Sequence, residues 1–523
     1  MISYKRDKIK SILLYSLIVV ILAMLLYFVV WKLFLREIIS YALNGKQERD
    51  IIEYVKINDV ELPFDKNTNT FYYPINVNDV GKEKLLDIEI VSDRDAKYII
   101  EEQEFYDKIT LNYVLDFNNV IELYSNSLFY YNKYYIKFTN LPIISISNNS
   151  SVVNMDYTFG NISIIDPNYD ENESEYNIVS EIKVRTRGSS SANLEKKSYR
   201  VRLYENNANK NLSLLGLRDD SDWILDPLYT DDSKIRTKLS YDIWNLINED
   251  VNKENYATLN CEYVEVFMEE EYIGLYLLKE PIDEDSLNLK ETSFTNSGIL
   301  LKGVTHDMID FSYDKINNIS EDIYCSLELK YPKNLHDNSA YWYSILSKMK
   351  DYYSGNITDE TINNTFYIDN FLNYRLFLLA LSAEDNYEPK NVYFSLKDLD
   401  ENTKVVLTPW DLDFTFGLGW KEDMPRGAEL YDEVEKIIEL NVENAPEFVT
   451  SLKSRWKYLR KNVFNETVIE ELINYYYNEL TLSDAVDRDY NKWIKADINV
   501  ELDEIKTWCE KRFKVIDKYI DEL

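Results

Sequence analysis

The sequence predicts an α+β protein, and three observations carry that reading. Short alternating apolar–polar runs fill the first half; apolar residues at three- and four-residue steps fill the second; no repeat or low-complexity linker separates them. At roughly 100 to 200 residues per domain, 523 residues allow two to four domains, each large enough for its own core.

The elements follow in order. From Ser11 to Trp31 the chain is uncharged and rich in Leu, Ile and Val. At about 1.5 Å per residue this run reaches about 31 Å, the hydrocarbon thickness of a bilayer. It predicts one transmembrane helix over 11–31, after a basic tail (1–10) and before a juxtamembrane segment (32–50). Lys5, Arg6, Lys8 and Lys10 outweigh Lys32 and Arg36, so the positive-inside bias places the N-terminus in the cytoplasm and the bulk of the chain outside it. The run is longer than a signal peptide's apolar core and no small-x-small site follows, which favours an uncleaved anchor. Residues 51–140 alternate in short runs such as Asp87 to Val91 and Tyr135 to Phe138, the pattern of a small β-rich accessory domain. A second strand-rich section, 141–285, contains Ile143 to Ile146, Asn161 to Ile165, Glu181 to Arg185 and Tyr199 to Leu203. A helix is expected over 232–248 behind the caps Asp232 and Ser233, then strands over 263–267 and 273–278. The remainder, 286–523, reads as mainly helical, with helical spacing over 338–353, 365–384, 430–440, 446–480 and 500–522 and short strands at 391–395 and 404–407.

Composition narrows the chemistry. The net charge of −34 argues against a general nucleic-acid binder, because phosphate backbones require a cationic surface. Two histidines, His306 and His336, and three scattered cysteines, Cys261, Cys325 and Cys509, leave no zinc knuckle and no disulfide framework. Asp, Glu, Lys and Arg must therefore supply any catalysis.

Two clusters stand out against that background. Lys183, Arg185, Arg187, Lys196, Lys197, Arg200 and Arg202 face a single acid, Glu195, and enclose Gly188-Ser189-Ser190-Ser191, a turn able to aim N–H groups and hydroxyls at an anion. Lys234, Arg236 and Lys238 open the next helix and extend the same field. The plainer reading is a solvated strand face. The second cluster is acidic: Glu384-Asp385-Asn386, Lys390-Asn391 and Trp410-Asp411-Leu412-Asp413. Side chains two apart on an extended segment point the same way, so Asp411 and Asp413 crowd together unless a cation neutralises them; hard oxygen ligands suit Mg²⁺ or Mn²⁺. The plainer reading there is helix capping and turn formation. A basic cradle and an acid–amide–acid set together match the needs of phosphoryl transfer. Neither GxGxxG nor GxxxxGK[ST] occurs, so a Walker motif and the usual kinase glycine loop are excluded.

At these residues the chain resembles the CotH kinase family, the spore-coat protein kinases and their relatives. The resemblance runs from about Leu141 to the C-terminus through RTRGSSSANLEKKSYRVRL (185–203), SLLGLRDDSDWIL (213–225), SKIRTKLSYDIW (233–244), EYVEVFMEEEYIGLYLLKEPID (262–283), EDNYEPKNVYF (384–394) and TPWDLDFTFG (408–417). WKYLR (456–460) and DRDYNKW (487–493) fit the family's helical end. It implies a two-lobed atypical protein-kinase-like fold, with a β-rich N-lobe (141–285) and a helical C-lobe (286–523), and Mg²⁺- or Mn²⁺-dependent transfer of the ATP γ-phosphoryl to Ser or Thr of a protein substrate. Carried over by position, Asp385 looks like the catalytic Asp that meets the acceptor hydroxyl, and Asp411 like the metal-binding Asp, with Asp413 and Asn391 as companion ligands. Asn391 lies six residues after Asp385 where the usual kinase loop has five, so Asn386 is the alternative. Lys197 is the phosphate-pairing lysine, with Lys196 its rival; Arg185, Arg187 and Ser189 to Ser191 replace the glycine loop; and Lys279-Glu280-Pro281 is the hinge beside adenine. The competing readings are a catalytically weak nucleotide-binding scaffold of the cell surface or spore coat, and a hydrolase pairing Asp385 with Asp411.

Overall fold

The computed structural model describes residues 52–523 apart from 93–95, 127–130, 149–152, 170–175, 189–190, 253–255, 291–296, 306–308, 310–322, 325, 334–338, 387–388, 420–426, 430–443 and 495; of the first 51 residues it describes 24, 27, 28 and 30–32. The architecture is mixed α+β. The chain divides into two compact units, Met1–Phe138 and Thr139–Leu523.

Among the described residues no helix is long and apolar enough to cross a membrane. Most of the expected span, 11–31, and the expected helix over 430–440 lie outside the described residues. The expected location, single-pass with an extracytoplasmic bulk, is therefore corrected: an apolar run supplies the hydropathy of a span, but no described helix realises it.

In the first unit a four-stranded sheet is built on Glu83–Ser92, which pairs with Ile52–Ile57 on one side and Lys108–Val114 on the other. A six-stranded sheet has Tyr131–Thr139 and Val120–Asn126 at its centre. Strict alternation there turns Ile121, Leu123, Tyr134, Ile136 and Phe138 inward.

In the second unit seven strands close on themselves: β1 (Ile143–Asn148), β2 (Thr158–Ile165), β3 (Asn177–Arg187), β4 (Ser198–Glu205), β5 (Asp222–Asp226), β6 (Cys261–Met268) and β7 (Glu271–Lys279). Their order is β3-β2-β1-β6-β7-β5-β4, and β4 pairs back onto β3; every pairing is antiparallel except β1 with β6. The period of two then sorts the side chains. Ile144, Ile162, Ile182, Val184, Val201, Leu203, Trp223, Leu225, Val264, Tyr276 and Leu278 fill the interior. Ile224, Cys261, Tyr263, Leu275 and Leu277 point outward into a second, larger core shared with the helices.

Against that outer face lies α1 (Arg236–Ile247). It starts four residues later than expected, and neither Asp232 nor Ser233 caps it. Asp231 does this instead, its carboxylate accepting from the Arg236 backbone N–H at 2.8 Å and from the Ser233 hydroxyl at 2.6 Å. Next comes an antiparallel sheet whose main strands are β8 (Ile299–Gly303), β9 (Leu327–Tyr331), β10 (Val392–Leu396) and β11 (Val406–Pro409), in the order β9-β8-β10-β11. The helices around it are α2 (Ser339–Tyr353), α3 (Asp359–Thr365), α4 (Ile368–Leu381), α5 (Pro446–Asn462), α6 (Glu466–Thr481), α7 (Ala485–Lys492) and α8 (Ile498–Glu522). The single run expected over 446–480 is two helices: the first ends at Asn462 with Val463 as its C-cap, and Asn465 caps the next by accepting from the Val468 N–H. Helix α4 is mostly apolar and buried along nearly its whole length, Asn370, Asn373 and Arg375 included.

Candidate active site

The acidic residues scattered along the sequence are gathered at the end of α4 and the adjoining ends of β10 and β11. Ser382, in the left-handed conformation (φ 52°), ends α4 and turns the chain into the short helical turn Glu384–Asn386. Asp385 is held from two sides: Lys390 Nζ lies 2.5 Å from its Oδ1, and Asn391 Nδ2 donates to its Oδ2 at 2.7 Å. Asn391 also sits in the left-handed region (φ 53°), a conformation Asn tolerates better than most side chains. Gly303, at the end of β8, presses on this loop: a Cβ there would collide with the Pro389 carbonyl. The Gly303 carbonyl accepts from the Asn391 N–H at 3.3 Å.

Asn386 joins this loop to the second acidic segment. Its buried Nδ2 donates to the carbonyls of Asn391 (3.1 Å) and Trp410, and the Trp410 N–H donates to the Asn391 carbonyl at 2.9 Å. Asp411 follows directly, exposed and again left-handed (φ 63°). Asp413 accepts from the Thr230 hydroxyl at 2.8 Å. Loss of surrounding water, and then the negative charge of Asp411, push the Asp413 carboxyl up to about 8. Asp385, Asn386, Asn391, Asp411 and Asp413 are thus brought into one neighbourhood.

The basic run is dispersed instead. Lys196 is buried, its ammonium bonded to Asp489 of α7 at 2.5 Å and to the Leu275 carbonyl at 2.6 Å. Burial outweighs the Asp489 charge and brings its pKa down to about 8. Lys197 donates to the Ala192 carbonyl at 2.9 Å. Arg200 and Arg202 share the Asp222 carboxylate, and Arg185 lies over the Tyr157 ring at 5.1 Å. Lys234, Arg236 and Lys238, expected to extend the cationic field, are spent internally on Leu228 O, Asp231 and Cys261 O. Glu280 accepts from the Arg218 N–H (2.7 Å) and from Asn260 (3.0 Å), bridging loops. Ser189 and Ser190 lie outside the described residues. Of the run, Arg187 at the end of β3 reaches the acidic neighbourhood; its charge acts on Asp226, Lys302 and Tyr393.

Sequence reasoning missed Asp226, Lys302 and Tyr393 and placed Lys279 in a hinge. Lys279 Nζ bonds Asp226 Oδ2 at 2.8 Å and lies 5.0 Å from the Tyr241 ring and 4.8 Å from the Trp410 ring. Burial works against its charge, but Asp226, Tyr241 and Asp411 together raise its pKa. Lys302, on β8 opposite Tyr393, approaches the same indole at 5.9 Å. The available signal was alternation: Trp223 and Leu225 point into the closed sheet, so Asp226 must point out, and so must Lys279 after Leu278.

Among the described residues, no three His, Cys, Asp or Glu groups stand together as a metal cage. That arrangement still suits Mg²⁺, which one or two carboxylates and substrate phosphates ordinarily hold. The pair Asp411 and Asp413, whose charges oppose each other, fits such a cation. A family model described as CotH kinase protein matches residues 184–516. No curated protein matches the chain.

Proposed function

This chain belongs to the CotH kinase family, and from that premise we propose that it is an atypical kinase transferring the ATP γ-phosphoryl to Ser or Thr hydroxyls of a protein substrate with Mg²⁺ or Mn²⁺. The observation that carries the reading is the Asn386 clamp, which locks the Asp385–Asn391 loop to the turn bearing Asp411. Asp385, pinned by Lys390 and Asn391, is oriented to accept the acceptor hydroxyl's proton as the new O–P bond forms and the β,γ-bridging bond breaks, releasing ADP. Asp411 and Asp413, with Asn391 beside them, would hold the divalent ion, which neutralises phosphate charge when bound. Arg187 supplies positive charge from the β3 end of the same site.

Incubating the full chain with γ-labelled ATP and Mg²⁺ or Mn²⁺ tests the reading. Label should enter Ser or Thr with the wild type, and Asp385→Asn should reduce it about 100-fold or more while still binding nucleotide. Saturable ATP binding without label in either form would favour the scaffold reading instead.

A further inference from the structure

Five lysines border or were expected to border the site, and four have their ammonium groups occupied, Lys390 by Asp385. Lys196 is committed to Asp489, Lys197 to the Ala192 carbonyl and Lys279 to Asp226. Lys302 makes no hydrogen bond or ion pair among the described residues. Its Nζ lies 5.8 Å from the Tyr393 ring and 5.9 Å from the Trp410 ring, beside the residue that leads into Asp411. A largely buried ammonium beside aromatic rings, with no ion pair among the described residues, lacks the direct partner that normally offsets its lost hydration. The second cation acting at this point is Arg187, which among the described residues makes a long 3.4 Å hydrogen bond to the Ser198 hydroxyl. Arg187 repels the Lys302 ammonium, Asp411 offsets burial there only in part, and a bound anion relieves the remaining cost.

We propose that Lys302, on β8, is the lysine that grips the phosphates of the bound nucleotide, with Arg187 across from it on β3, in place of Lys196 or Lys197. This rests on the kinase reading above and adds a residue to it. The placement has a mechanical consequence. Lys302 precedes Gly303, the residue packed against Pro389 and bonded to Asn391, so the phosphate grip and the Asp385 loop share one rigid strand end. A phosphate held there would lie near Asp411, one of the residues that would hold a divalent ion to neutralise phosphate charge.

The test is calorimetric binding of a non-hydrolysable β,γ-imido ATP and, separately, of adenosine to the full chain with Mg²⁺, for the wild type, Lys302→Met, Lys302→Arg and Lys197→Met. The proposal expects Lys302→Met to weaken the ATP analogue by about tenfold or more, the loss of one charge-assisted contact. Adenosine binding should be unchanged, Lys302→Arg should restore most of the affinity, and Lys197→Met should match the wild type. An unaltered ATP affinity in Lys302→Met, or equal losses for ATP and adenosine, overturns the assignment while leaving the kinase reading standing. A wild type that binds neither compound overturns both.

Discussion

Asp411 and Asp413 stand two residues apart, yet they differ sharply in surroundings: the first is exposed, the second has lost most of its water and hydrogen-bonds Thr230. Asp411→Asn should therefore weaken Mg²⁺-dependent ATP binding by about tenfold or more, read as the ratio of affinities with and without the metal. It should also let Asp413 ionise more readily, because the neighbouring negative charge is gone. A second carboxyl is perturbed away from the site. Burial, only partly opposed by Lys238 and reinforced by Glu262 and Asp242, pushes Glu479 up to about 7. A carboxyl whose folded pKa is raised favours the folded state while protonated, and that contribution is lost as pH rises through about 7. Glu479→Gln should be more stable than the wild type at pH 8, by something of order 2 kcal/mol, and nearly equal to it at pH 5, in paired thermal unfolding runs. Crowding of Asp and Asn marked Asp385 and Asp411 in the sequence. The destination of each lysine head group was not legible there, since Lys196 finds Asp489 across 293 residues of chain.

Helix α7 is short and polar, and it is tied to the closed sheet at its middle. Asp489 accepts from Lys196 and from the Leu275 N–H, with Lys234 at 3.4 Å, and Gly274 leaves the room these groups need, since a Cβ there would collide with Asp489. Nearby, Arg488 grips Glu265 of β6 through two nitrogens. Asp489→Ala should destabilise the second unit by about 3–5 kcal/mol by leaving Lys196 buried and unpaired, whereas Lys196→Met with Asp489→Leu should recover most of that, as followed by denaturant unfolding. At this scale the sequence was informative wherever a period was clean. The strands expected around Ile143, Ile162, Ile182 and Val201 and the helices near 338–353 and 500–522 all form, within a few residues of their expected ends. The break at Asn465 and the late start of α1 were not foreseen, because both depend on which polar side chain reaches a free N–H.

The family match, 184–516, lies entirely within the second unit, Thr139–Leu523. A chain beginning at Thr139 is therefore expected to fold and to bind ATP with Mg²⁺ as the full chain does; failure of the shortened chain to unfold cooperatively would show that the first unit is needed for stability. By itself the sequence determined the α+β class, the strand and helix types and the acid–amide–acid cluster, because hydrophobic period and local turn chemistry are properties of neighbouring residues. Tertiary structure decided which charges are spent on each other and which are left to meet a ligand. It closed β4 onto β3, turned Asp226 and Lys279 outward beside Trp410, paired Lys196 with Asp489 and left Lys302 with no ion pair among the described residues. The reason is physical: a buried charge is stable only with a partner, and that partner is chosen by proximity in space across segments far apart in the chain.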